Sequence, residues 1–136
     1  MGYELRAHTA DVAVEATGES LGAAFGATAD GMAAAMAEEW PDGGTRYDLT
    51  VRAERPEALL FDYLDELIYE RDVRSVLPVD NQGRVTSDGD GWRFEGSYRG
   101  IDLADVTARD LKAITYSEMQ IEERADDWRI YVVFDV

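Results

Sequence analysis

The chain has 136 residues, 46% of them hydrophobic and 31% charged, which suits one domain with a packed core and excludes disorder throughout. No run approaches the ~20 consecutive apolar residues of a membrane helix, the stretch from Met1 to His8 lacks the basic-then-apolar build of a secretory signal, and with no cysteine neither disulfides nor thiolate metal sites are available. Twenty-nine acidic residues against 13 basic ones give a formal charge of -16, which opposes attachment to a nucleic-acid backbone or an anionic membrane, so the expected location is the cytoplasm.

Tyr3 to Ala7 reads as a short strand, and Val12 and Val14 alternate with Ala13 and Glu15 in a second one that Gly18 breaks. Ser20 is placed to cap a helix in which Leu21, Ala24, Phe25, Thr28, Met32, Ala35 and Met36 recur at three- and four-residue steps. Pro41-Asp42-Gly43-Gly44 ends that element. Leu49, Val51 and Ala53 alternate with polar residues as a half-buried strand. Pro56 opens a second helix, whose stripe of Leu59, Leu60, Tyr63, Leu64, Leu67 and Ile68 continues to about Arg74.

Val76 to Val85 is strand-like, with a turn expected at Asn81-Gln82-Gly83. The turn Asp88-Gly89-Asp90-Gly91 leads into Trp92, Phe94, Gly96 and Tyr98, which alternate with polar residues. Gly100 to Asp110 has no periodicity and is the longest expected loop. Ala113 to Ile121 and Trp128 to Phe134 form a terminal hairpin across Ala125-Asp126-Asp127. The order predicts a single α+β domain over residues 1–136, with two helices packed on one face of a largely antiparallel sheet.

Most of the carboxylates read as a solvated, salt-adapted (halophilic) surface, because mutual repulsion is screened in very salty cytoplasm. Asp11 and Asp135 differ. Asp11 interrupts the start of an apolar strand, where a carboxylate needs a partner or a cation. Asp135 follows Ile130-Tyr131-Val132-Val133-Phe134, apolar on both faces as a central strand would be, and is followed by the terminal carboxylate of Val136. If the strand of Asp11 lies beside the last one, these oxygens complete a metal site suited to Ca²⁺, Mg²⁺ or Mn²⁺. Lys112 is the one lysine beside twelve arginines, and a lysine is a compact point charge where an arginine is not.

Other chemistries are poorly supported. His8 is the single histidine, too few for a zinc hydrolase and without a marked serine for a triad. The turn from Asp88 begins like a calcium loop but lacks the later ligands of an EF-hand. Neither GxxxxGK[ST] nor GxGxxG is present.

Three blocks, spread over nearly the whole chain, resemble the archease family. They are His8-Thr9-Ala10-Asp11-Val12 with Gly18, Ser20-Leu21 and Ala24-Phe25; Ala58-Leu59-Leu60-Phe61-Asp62-Tyr63-Leu64-Asp65-Glu66-Leu67-Ile68-Tyr69; and Lys112-Ala113-Ile114-Thr115-Tyr116 with Glu118-Met119 and Val133-Phe134-Asp135-Val136. The resemblance implies a non-enzymatic activator of the RtcB-family RNA ligase of tRNA splicing. Such a partner promotes guanylylation of the ligase's active-site histidine, allows multiple turnover and broadens the nucleotides accepted. It also implies that Asp11 and Asp135 bind a divalent metal with a terminal oxygen of Val136. Calcium is the ion associated with the family, with manganese or magnesium as alternatives, and Lys112 takes part in activation. Ser117 departs from the pattern, standing where many relatives have histidine. Two other readings use the same residues: a stand-alone metal-dependent phosphoester hydrolase, and a general chaperone or adaptor whose metal is structural.

Overall fold

In the computed structural model, residues 2–7 and 11–136 are described, with only the backbone at positions 6 and 7; His8, with its neighbours Thr9 and Ala10, lies outside the described residues. Chain order gives β1 (Gly2–Ala7), β2 (Asp11–Gly18), α1 (Leu21–Met36), β3 (Thr45–Ala53), α2 (Pro56–Arg74), β4 (Val76–Ser87), β5 (Trp92–Asp102), β6 (Ala113–Glu123) and β7 (Trp128–Asp135). A short 3-10 turn, Leu103–Asp105, follows β5.

Both helices start where the sequence predicts. The Ser20 hydroxyl accepts from the Ala23 N–H at 3.1 Å, satisfying one of the orphan donors of the first turn. Pro56 occupies the first turn of α2, where its missing N–H is not needed. At the far end Ser75 adopts a left-handed conformation with φ of 56° and closes the helix through its N–H to the Arg71 carbonyl.

All the strand pairing is antiparallel, as expected, but it divides between two sheets, ordered β1-β2-β7-β6 and β3-β5-β4. The predicted single sheet is therefore two. Alternation reveals which face of a strand is buried, not which strand lies beside it, so the division was not legible. Each helix packs on strands of both sheets. The α1 helix is buried nearly all round, which fits its run of Ala and Gly: Gly22 and Gly26 turn toward the backbone of β4, and Gly31 toward Val14 and Tyr3. Phe25, Tyr63 and Phe94 meet at its centre, with ring centroids 4.1 to 6.0 Å apart, a spacing at which aromatic pairs attract.

The turn predicted at Asn81 is instead a bulge inside the continuous strand β4, where Asp80 and Asn81 stand opposite Tyr98 alone. Its unpaired N–H finds a partner across the layer: Asp30 Oδ1, on α1, accepts from both the N–H and the Nδ2 of Asn81 at 2.9 Å. A strand can then continue where sequence punctuation suggested a reversal. Glu70 is held similarly, its Oε1 accepting from the Tyr98 hydroxyl at 2.8 Å and from Arg74 Nε at 3.0 Å.

Burial pushes the Asp30 carboxyl above the usual carboxylate range; the Asn81 bonds oppose this, Asp80 adds to it and Arg46 offsets it. A native pKa above the unfolded value means the folded chain holds the extra proton, so stability falls as pH rises through that window. Asp30→Asn keeps an acceptor for Asn81 and removes the charge. It is expected to melt higher than the wild type at about pH 7, the gap closing below about pH 3.5, where both unfolded and native carboxyls are protonated. Thermal unfolding of the two proteins across pH checks this; a variant less stable at neutral pH would mean that the two bonds outweigh the buried charge.

Candidate functional site

The strand carrying Asp11 does pair with the last strand. In the β2–β7 ladder Asp11 is the register partner of Asp135, and on the other side of β7 Asp135 faces Ala113, the first residue of β6. Directly opposed residues project to the same face, with Cβ atoms typically about 5 Å apart. Val12, Val14 and Ala16 of β2 alternate with Asp11, Ala13 and Glu15, and Val14 and Ala16 join Val132, Phe134 and Ile130 in the core. Asp11 and Asp135 therefore share the sheet face turned away from α1.

Lys112 is brought to the same end by the backbone. Its N–H donates to the Asp135 carbonyl at 2.8 Å, while its side chain is exposed. Asp11, Asp135 and Val136 are half-buried. Neither Asp11, Asp135 nor Lys112 forms an ion pair with another described side chain, whereas Glu15, four residues beyond Asp11 on the same face, is paired with Arg129 at 2.5 Å. Two opposed carboxylates with no ion pair to a described side chain repel one another.

Asp11 and Asp135 supply oxygen alone, the donor type that hard divalent cations take, and a terminal oxygen of Val136 would be a third of the same kind. Among the described residues no group of three or more histidine, aspartate or glutamate side chains is disposed around a metal position. The two side chains fit a hard cation in donor type.

Further along β6 lies a feature that alternation did not disclose. Its pairing jumps from Thr115 opposite Val133 to Gln120 opposite Tyr131, so four residues, Tyr116 to Met119, stand against Val132 alone. Tyr116 emerges there 40% exposed, its ring edge-on to Phe61 of α2 at 5.5 Å and its hydroxyl 3.3 Å from the Arg55 guanidinium that donates to it. Ser117 lies exposed in the same bulge. The block from Lys112 to Tyr116 carried the resemblance, but nothing in its residue pattern announced an interrupted ladder.

Residues 103–112 join this end to the C-terminus of α1. That helix has no basic residue in its last turn. Arg109 supplies the missing positive charge from outside: its N–H donates to the Met36 carbonyl and its Nε to the Ala35 carbonyl, both at 2.8 Å, where a cation offsets the helix dipole. Leu111 is buried next to Lys112, which anchors the segment. Of the stretch from Gly100 to Asp110 expected as a loop, the first three residues instead end β5, the next three form the 3-10 turn, and Arg109 is pinned to α1.

Comparison with known proteins gives a consistent result. The model of the archease protein family matches residues 3–136 of the chain. Protein archease of Thermococcus gammatolerans is 30% identical, with 98% of each chain covered. The solution structure of Methanobacterium thermoautotrophicum protein 1598 superposes with a TM-score of 0.79 at 26% identity, covering 99% of each chain. A crystal structure from Thermotoga maritima, described as an archease and possible chaperone, shares the fold at a TM-score of 0.64 and 22% identity, covering 98% of this chain and 96% of that one.

Proposed function

The chain belongs to the archease family, and from that premise we propose that it is a protein cofactor of an RtcB-family tRNA-splicing RNA ligase rather than an enzyme of its own. It promotes guanylylation of the ligase's active-site histidine, and so permits multiple turnover and use of more than one nucleotide. The supporting observation is the convergence of Asp11, Asp135 and Lys112, from segments more than a hundred residues apart, on one end of one sheet.

Guanylylation joins a histidine nitrogen to the α-phosphorus of GTP and expels pyrophosphate, so negative charge accumulates on the departing oxygens. Positive charge fixed beside them lowers the barrier. Lys112 is suited to that role: its ammonium is exposed and uncommitted to any described carboxylate, and the main-chain bond to Asp135 fixes where its stem begins. Asp11, Asp135 and the terminal oxygen of Val136 would hold a divalent cation, calcium first, with manganese or magnesium as substitutes. When bound, the ion neutralises the opposed carboxylates and supplies charge attractive to phosphate.

The test is a ligation assay with the cognate ligase, GTP and excess RNA ends at molar KCl. More than one ligation per ligase is expected only when this protein is added; equal turnover without it would end the proposal. The description of the Thermotoga relative favours a second reading, a chaperone whose metal is structural. In that case chelation lowers the melting temperature and leaves ligase stimulation unchanged.

A further inference from the structure

A concavity of about 1180 Å³ opens between the C-terminus of α1, the segment that follows it and residues 104–109. We propose that this groove receives an extended, basic segment of a partner protein, anchored by an apolar side chain; the inference rests on the reading that the chain acts through a protein partner.

The apolar floor comes from three elements. Leu5 of the edge strand β1 is 44% exposed, a large fraction for a leucine. Trp40 and Val106 pack partly on the core and turn their remaining surface toward the same space. A floor of this kind accepts an aliphatic side chain at a gain of free energy proportional to the area covered. Beside it, β1 has a neighbour on one side only, so a row of its main-chain groups is open to an extended chain.

The rim decides the sign of the partner. Glu38, Glu39 and Asp105 line it, all are exposed, and none has an ion pair with another described side chain. Among the described lining residues the one cation, Arg109, is committed to the carbonyls that end α1. A basic segment is complementary to this rim, and an acidic one is repelled.

Position links the groove to the site. The strand β1 ends beside the start of β2, with Ala7 opposite Val12, and Arg109 precedes Lys112 by three residues, at most about 11 Å of chain. A segment seated in the groove would bring its parent protein against the end of the sheet where Asp11, Asp135 and Lys112 meet.

Calorimetric titration of the full chain with acetylated octapeptides tests the assignment: alternating leucine–arginine, leucine–glutamate and serine–arginine, at about 0.1 M KCl. Only the leucine–arginine peptide should bind. Glu38→Lys with Glu39→Lys is expected to weaken it at least tenfold, and Leu5→Ser at least fivefold, in proteins that melt as the wild type does. Asp135→Asn should leave peptide binding unchanged, so failure of the groove and failure of the metal site are read separately. Equal binding of the serine–arginine peptide would reduce the effect to diffuse attraction and overturn the proposal. So would undiminished binding to both groove variants, absence of binding, or a concentration-dependent dimer that either variant abolishes, which would make a second copy the occupant.

Discussion

Asp135→Asn is expected to raise the unfolding temperature slightly in the absence of divalent ions, to abolish the rise that calcium gives the wild type, and to lower stimulation of ligase guanylylation at least tenfold. The three effects have one origin. Asp11 and Asp135 are direct register partners, and like charges so opposed destabilise a ladder by a few tenths of a kcal/mol to about 1 kcal/mol. Asparagine removes that repulsion while keeping the strand, so the metal-free variant is the more stable of the two. With calcium the order reverses: an ion that binds only the folded state stabilises it by about 2.7 kcal/mol at a hundred times its dissociation constant. The variant, left with one side-chain carboxylate, gains little of this. Lys112→Met separates the roles, since it should lose stimulation to a similar degree yet keep the calcium-dependent rise. Melting curves with chelator and with calcium, read beside guanylylation of the ligase by labelled GTP, decide the matter. Stimulation that survives both substitutions would remove this end of the sheet from the mechanism.

The parts of this arrangement that were legible in sequence are those fixed by local physics. The cap at Ser20, the first-turn proline at Pro56, the stripe from Leu59 to Ile68 and the doubly apolar run from Ile130 to Phe134 each reflect a neighbour along the chain or burial on both faces, and the structure has them as read. Pairing of the Asp11 strand with the last strand entered only as a condition. It is a contact between the two ends of the chain, and alternation carries no information about partners. The bulges were hidden for a related reason. At Asn81 the local residues favour a turn, and the carboxylate that keeps the strand running comes from Asp30 on another element. At Tyr116 the ladder is broken where a side chain turns to meet Phe61 and Arg55, residues that sequence alone leaves some sixty positions away. The candidate residues Asp11, Asp135 and Lys112 could be named from sequence, whereas the segment from Arg109 to Lys112 that leads to them could not, because Arg109 acts on the end of a helix far upstream.

Gly22→Ala is expected to destabilise the protein by about 2 kcal/mol, against the direction that helix propensity gives. Gly22 lies in the first turn of α1, and alanine is favoured over glycine by at most the helix-interior value of about 1 kcal/mol. A methyl group at Gly22 would sit 2.5 Å from the Arg84 Cα and 2.6 Å from the Gly83 carbonyl oxygen, both backbone atoms of β4. No rotamer change relieves such a contact, so the helix must move off the sheet, and overpacking of this kind costs about 1–3 kcal/mol, occasionally more. The upper part of that range exceeds the propensity gain. A methyl group at Gly26 would meet the Asn81 carbonyl oxygen at 2.7 Å and should behave alike, whereas at Gly31 the near atoms belong to the side chains of Val14 and Tyr3. The nearest, the Val14 Cγ1 at 2.5 Å, is buried and must shift, and Tyr3 at 3.3 Å is 42% exposed and can yield; side chains move more readily than the backbone of β4, so Gly31→Ala should cost less than Gly22→Ala. For a chain of this size about 2 kcal/mol corresponds to a fall of roughly 8 °C in Tm. Thermal unfolding of the three alanine variants measures the order; a Gly22→Ala protein as stable as the wild type would mean that α1 does not owe its place between the sheets to its bare backbone. Because α1 also presents the carbonyls on which Arg109 rests, displacing it moves the segment leading to Lys112. Gly22→Ala should therefore weaken ligase stimulation even at temperatures where it remains folded, while Gly31→Ala, whose crowding is taken up by side chains, leaves stimulation near the wild-type level.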